Sequence, residues 1–217
     1  MSALELIKAA KNASKGIGLL TSAQKNEVLK AVSVLLSERT QELLAANQVD
    51  IDNGQAVDMS KSLQDRLRLT EARIESLRVA IAELINIPDP IGQTVRDINR
   101  PNGLHLKEVR VPFGVIGAIY EARPNVTIDI ACMALKTGSA IILRGGSAAQ
   151  NTNAVLVQIL KDALSANSHK PDAVQSVDEF GRDGANAMMK AIGLIDVLIP
   201  RGSASLIHAV IEESKVP

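Results

Sequence analysis

The stretch that decides the fold is "GVIGAIYEARPNVTIDIACMALKTGSAIILRGG", residues 114–146. "GVIGAIY" and "SAIILR" are short apolar runs rich in β-branched residues, the texture of strands buried on both faces. Between them "TIDIACMALKTG" has helical spacing and ends on a glycine. Strand, helix, strand at this length predicts a parallel pair with a helical crossover. The same alternation continues through "AAQNTNAVLVQILKDALSAN", "AVQSV", "DGANAMMKAIG", "IDVLIP" and "SASLIHAVIEES". The expected fold class is therefore α/β, a Rossmann-like parallel sheet covered by helices over residues 113–217.

Ligands on such sheets bind outside the carboxyl ends of the strands. Three strand ends stand out. At Tyr120–Asn125, Pro124 biases Arg123 away from helix, and Glu121, Arg123 and Asn125 gather at one junction. Asn125 stands where a helix N-cap belongs. At "LRGGSAAQ", Arg144 closes a strand and Gly145–Gly146 let backbone come close to a ligand before Ser147 opens a helix. A guanidinium beside paired glycines suits a phosphate or ribose. A solvated arginine on a plain turn fits as well. At "LIPRGSASLIHAV", Gly202 and Ser203 open a helix directly after an apolar strand, where free N–H groups and the helix dipole favour an anion. None is a full G-x-G-x-x-G fingerprint; at successive strand ends of one sheet they point together to a nucleotide.

Upstream, residues 1–92 read as helices. Leu4, Ile7, Ala10 and Lys11 mark one face of the first. "TSAQKNEVLKAVSVLLSERTQELLAANQVDI" reads as one long helix capped by Thr21 or Ser22. In "SLQDRLRLTEARIESLRVAIAELINI", Thr70 is a cap, and Pro88 and Pro90 stop the run. Residues 93–112 contain Pro-Asn-Gly between alternating stretches, the signal of a hairpin with strands near 93–98 and 104–111. An arm that pairs with another subunit and a hairpin packed on its own domain both fit.

Composition removes other classes. Lys+Arg and Asp+Glu both number 24, and aromatics are 1% of the chain. A single-strand binder needs basic charge and stacking rings, so nucleic acid is not an expected partner. No window approaches a membrane span, and no metal site is expected from three scattered histidines. A lone cysteine forms no internal disulfide, and a cytoplasmic setting follows. That residue, Cys132, sits in an apolar helical run between Ala131 and Met133 and reads as packing.

The string "VPFGVIGAIYEARPNVTIDIACMALKTGSAIILRGGSAAQNTNA", with "DRLRLT", "IPDPIGQ" and "LIPRGSA", closely resembles the gamma-glutamyl phosphate reductase family of the aldehyde dehydrogenase superfamily. "VDEFGRDGANAMMKAIGLID" is looser, which leaves the adenine pocket open. The resemblance implies an aldehyde dehydrogenase-like cofactor domain and NADPH-dependent reduction of gamma-glutamyl phosphate to glutamate-5-semialdehyde in proline biosynthesis. It implies Asn125 as oxyanion donor and Arg144 on the adenosine ribose, suited to the 2′-phosphate of NADP. It also implies Gly145, Gly146, Gly202 and Ser203 beside the cofactor, with Glu121, Ala122, Arg123 and Pro124 bordering its cleft. The family's nucleophilic cysteine lies in a later segment, past "ESKVP". The chain thus reads as the N-terminal portion of the enzyme, inactive alone, and a homo-oligomer through the hairpin arm. The alternatives are a non-catalytic nucleotide-binding or assembly protein with this fold, and another aldehyde dehydrogenase.

Overall fold

The computed structural model describes residues 1–121 and 123–217. Five helices come first: α1 (Ala3–Gly18), α2 (Ser22–Glu38), α3 (Thr40–Ala56), α4 (Lys61–Leu67) and α5 (Glu71–Asn86). Ser2, Thr21, Ser60 and Thr70 cap α1, α2, α4 and α5 through their side-chain oxygens. The buried face of α1 is Leu6, Ile7, Ala10, Ala13 and Ile17. Leu4 lies outside it, and Lys11 reaches Asp196 at 2.7 Å instead.

The single helix expected from Thr21 to Ile51 is broken at Arg39. Thr40 turns its hydroxyl back onto the Leu36 and Ser37 carbonyls at 3.0 and 2.9 Å, a contact that bends helices. Arg39 meanwhile grips Glu42 through two bonds of 2.7 and 2.8 Å and reaches Asp162 at 2.9 Å. The break therefore directs α3 along a later helix, α7 (Gln150–Ala166), which it contacts extensively. Two buried polar side chains of α3 fix that contact. Asp50 accepts hydrogen bonds from the Asn151 and Thr152 N–H groups and from the Thr152 hydroxyl, at 3.1, 2.8 and 2.6 Å. It caps α7 from another element, and the residue before α7 supplies no cap of its own. Asn47 donates to the Thr152 hydroxyl of α7 at 3.2 Å; it also accepts from the Leu69 N–H at 2.7 Å and donates to the Leu67 carbonyl at 2.9 Å, pinning the joint between α4 and α5.

The hairpin pairs β1 (Thr94–Asn99) with β2 (His105–Val109), antiparallel, each starting one residue later than the sequence suggests and the second ending earlier. Only Ile98 is even part-buried. The hairpin is not packed on its own domain.

The second sheet is parallel, in the order β5 (Val174–Ser176), β4 (Ala140–Arg144), β3 (Val115–Tyr120), β6 (Val197–Arg201). Three helices link these strands: α6 (Pro124–Lys136), α7, and α8 (Gly181–Met189). The chain runs outward from β3 through β4 to β5, then returns to the other side of β3 for β6. That reversal makes the crevice beyond β3 and β6 a topological switch point. The sheet and α1, α2, α3 and α5 share one apolar core. A buried Lys25–Asp89 pair at 2.9 Å joins α2 to the turn after α5. Lys136, at the end of α6, donates to the Ile85 carbonyl at 3.0 Å.

Candidate functional site

Register brings the strand ends together. Tyr120 lies opposite Arg201 across β3 and β6, and Ile119 opposite Arg144 across β3 and β4. Past Arg201, Ser203 caps the last helix, α9 (Ala204–Glu213), by accepting from the Leu206 N–H. Within the chain a carboxylate already occupies that helix end. The Glu121 carboxylate accepts from the Ser203 N–H at 3.1 Å and from its hydroxyl at 2.6 Å. Gly202 leaves room for this approach. A Cβ there would stand 2.8 Å from the Glu121 carboxyl carbon and 2.9 Å from a Leu206 methyl.

These groups line a cavity of about 630 Å³ with Tyr120, Arg123, Gly146, Ser147 and Arg201. Of the residues expected at a cofactor cleft, Glu121, Arg123, Gly146, Gly202 and Ser203 therefore meet on one wall. Pro124 is buried as the first residue of α6, and Ala122 lies outside the described residues. Three arginines, Arg66, Arg123 and Arg201, face the same space. Cations and a helix N-terminus around a crevice that admits close backbone approach suit a phosphate-bearing nucleotide.

Arg144 and Gly145 sit one strand over, outside that cavity's lining. The Arg144 Nε donates to the Gly181 carbonyl at 3.4 Å. The Gly145 N–H donates to Asp178 at 2.6 Å, and its missing side chain makes way for Asn153, whose amide nitrogen a Cβ would approach to 2.2 Å. Behind them runs a buried polar chain. Tyr120 and Thr127 share a hydrogen bond of 2.7 Å, Thr127 donates to Asn153 at 2.9 Å, and Asn153 donates to Asp178 at 3.1 Å. Burial raises the Asp178 carboxyl above the usual carboxylate range, against the pull of Asn153, Gly145 and Arg144. Sequence reasoning missed Asp178. The signal was available, since it follows β5 as Arg144 ends β4.

Asn125 is not a helix cap. Pro124 takes the first helical position, for which its fixed φ and missing N–H suit it, and Arg123 precedes it without a side-chain cap. Asn125 is second in α6, part-buried. Its amide donates to Asp129 at a long 3.5 Å, so its donors are largely uncommitted. It opens onto a second cavity, of about 440 Å³, shared with Arg66, Arg68, Arg73, Arg123 and Asp129. Burial raises the Asp129 carboxyl, opposed by Arg201 and by the Asn125 bond. One turn further, Cys132 is 2% exposed. Burial first, and the Asp129 charge second, push its thiol pKa well up. A thiol so held is a packing group. Among the described residues no cluster of acidic, histidine and cysteine side chains could hold a metal, and no helix is long and apolar enough to cross a membrane.

The profile of the aldehyde dehydrogenase family matches residues 2–215. The chain belongs to the aldehyde dehydrogenase family. Members of this family use nicotinamide cofactors. Its relatives at 43–50% identity are gamma-glutamyl phosphate reductases. That of Leifsonia xyli subsp. xyli (strain CTCB07) is 50% identical over 216 residues, covering 100% of this chain and 51% of that protein. That of Kineococcus radiotolerans is 46% identical over 214 residues, covering 99% of this chain and 50% of that protein. The crystal structure of gamma-glutamyl phosphate reductase from Thermotoga maritima superposes with a TM-score of 0.96 at 34% identity, over 100% of this chain and 52% of that one. The chain thus spans about half the length of the aldehyde dehydrogenase relatives it matches.

Proposed function

We propose that this chain is the NADP(H)-binding half of an enzyme that reduces gamma-glutamyl phosphate to glutamate-5-semialdehyde and phosphate, a step of proline biosynthesis in the cytoplasm. One observation carries the reading. The switch-point crevice presents the N-terminus of α9, with Ser203 already bound to the Glu121 carboxylate, and a neighbouring cavity that shares Arg66 and Arg123 with it holds the uncommitted amide of Asn125. The first group suits a phosphate diester and the second an oxygen that gains charge. The 43–50% identical reductases support the choice of substrate.

When bound, NADPH supplies a hydride. Ser203 and the free N–H groups of α9 receive its pyrophosphate. Gly202 and Gly146 let backbone approach it. Arg144, at the end of β4, takes the 2′-phosphate and selects NADP over NAD. Asn125 donates to the acyl oxygen as a thiolate from outside these residues adds to the acyl carbon. The exposed hairpin, residues 93–112, is an arm for a second copy. The helical part is residues 1–92 and the nucleotide-binding part residues 113–217.

The test is cofactor binding with turnover measured in parallel. The 217-residue chain should bind NADPH more tightly than NADH. Arg144→Ala should erase about ten- to a hundredfold of that preference, the scale of a charge-assisted hydrogen bond. NADP- and phosphate-dependent oxidation of glutamate-5-semialdehyde should be absent, because Cys132 is sealed in the core. Turnover that disappears in Cys132→Ser would overturn the assignment.

A further inference from the structure

The end of β4 is gripped by the turn that follows β5. The Val177 N–H donates to the Leu143 carbonyl at 2.9 Å. The Gly145 N–H donates to the Asp178 carboxylate at 2.6 Å. Between them, the Arg144 Nε donates to the Gly181 carbonyl at a long 3.4 Å. Three successive residues of β4 and its exit are thus tied to residues 177–181. The turn is itself fixed. Its Phe180 N–H closes on the Val177 carbonyl at 3.1 Å, and the Asp178 N–H donates to the Ser176 hydroxyl at 3.2 Å. Gly181 ends it at φ 53, a conformation that favours glycine.

The Asp178 carboxylate is turned inward. One oxygen accepts from Gly145 and the other from the buried Asn153 amide at 3.1 Å. The Asn153 oxygen in turn receives the Thr127 hydroxyl at 2.9 Å, so the amide presents its donor side to Asp178. In nucleotide-binding sheets an acidic residue commonly accepts the ribose 2′-hydroxyl of the unphosphorylated cofactor. Here the carboxylate nearest the end of β4 is engaged with the protein. Arg144 shows the opposite pattern. Its charge acts on the Asp178 carboxyl against the effect of burial, yet the two form no ion pair. Only its Nε is bonded among the described residues, which leaves both terminal nitrogens of the guanidinium to a ligand. An arginine held this way has less rotamer freedom to lose on binding.

We propose that Asp178 is a positioning residue for cofactor selectivity. Bonded behind the end of β4, it holds Arg144 with its terminal nitrogens outward, where a 2′-phosphate is received, and it withholds the acidic group that a 2′-hydroxyl would use. Preference for the phosphorylated dinucleotide then belongs to Arg144 and Asp178 together. That the ligand is a nicotinamide dinucleotide rests on the function proposed above; the positioning of Arg144 rests on the turn.

The experiment titrates NADPH and NADH separately into the 217-residue chain and into Asp178→Asn, Gly181→Ala, Arg144→Ala and the double variant of Asp178→Asn with Arg144→Ala. The Nε–H signal of Arg144, assigned by its loss in Arg144→Lys, is followed by NMR before any cofactor is added. Asp178→Asn keeps the side chain's size and removes a negative charge. If the carboxylate acted only through its charge, NADPH would bind this variant more tightly. Positioning predicts the reverse: the NADPH-to-NADH affinity ratio should fall about three- to tenfold, with NADH affinity nearly unchanged. Gly181→Ala alters no charge and should lower the same ratio. On the Arg144→Ala background, Asp178→Asn should change the ratio by less than about twofold, because no guanidinium is left to position. The Nε–H signal should shift and broaden in both Asp178→Asn and Gly181→Ala. A ratio that is unchanged or raised in both single variants, or a fall that persists without Arg144, would overturn the proposal and leave the cofactor reading standing. A parent chain that binds neither cofactor, with the Nε–H signal still responding to Asp178→Asn, would defeat the cofactor reading and leave the positioning of Arg144 in place.

Discussion

Glu121 and Ser203 are joined across the switch point by two hydrogen bonds, at 3.1 Å from the N–H and 2.6 Å from the hydroxyl. They come from different strand ends, 82 residues apart, and Gly202 is the residue that lets them meet. The helix N-terminus thus already holds a carboxylate where a cofactor phosphate is expected. Phosphate binding there must displace it or work against its charge.

Glu121→Gln is therefore expected to strengthen NADPH binding. The gain should be about two- to fivefold at low ionic strength, the scale of one charge at an exposed helix terminus. It should shrink as salt is added. Titration at two salt concentrations checks both points. Weaker binding in the variant would mean that the carboxylate itself contacts the cofactor.

Asn125 separates folding from chemistry. It is second in α6 and caps nothing, so Asn125→Ala should cost less than about 0.5 kcal/mol, against about 1 kcal/mol for a lost cap. In a full-length relative, replacing the matching asparagine should lower turnover roughly 10²–10³-fold if it stabilises an oxyanion. Thermal melts and reductase rates on the same proteins decide this. A large stability loss with little loss of rate would make Asn125 a structural residue.

Asp129 gives a pH signature. Burial raises its carboxyl on folding, so the folded state binds that proton more tightly than the unfolded chain. Below the unfolded pKa both states are protonated and no penalty exists. As pH rises through the folded pKa, ionisation of the buried group costs stability, and the cost is complete above it. Asp129→Asn should therefore gain stability relative to the parent chain over that window and then level off. Melts of the pair from about pH 3 to about pH 8 would show it, a range that spans ordinary and raised carboxylates. A difference that is flat, or that falls with pH, would contradict the burial argument.

What was legible in the sequence was local. The apolar runs that became β3, β4 and β6 were, and so were the cap at Thr70, the choice of Thr21 or Ser22 at α2 and the helix opening at Gly202–Ser203, because strand texture and capping depend on near neighbours. Proline chemistry at Pro124 was legible too, but the N-cap position falls at Arg123 rather than Asn125, since Pro124 itself occupies the first helical site. The break at Arg39 was not legible, because half of its cause is Asp162, 123 residues later. Asp50 as the cap of α7 was hidden for the same reason, at separations of 101 and 102 residues. At the site, the strand-end rule found Glu121, Arg123, Gly146, Gly202 and Ser203 on one wall. It did not find Arg66 of α4, which reaches that wall from a helix with no strand before it.

The most direct test of the central claim is calorimetric titration of NADPH into the parent chain and into Ser203→Asp. Aspartate is as good an N-cap as serine, but it loses the hydroxyl bond to Glu121 and sets two carboxylates side by side, so the variant should fold with a lowered melting temperature. It also places a negative charge where the pyrophosphate is to sit. Binding to the parent should be saturable and one-to-one, and binding to the variant at least about tenfold weaker, the scale of a charge-assisted hydrogen bond replaced by repulsion. No saturable binding to the parent, or equal affinity in both proteins, would contradict it.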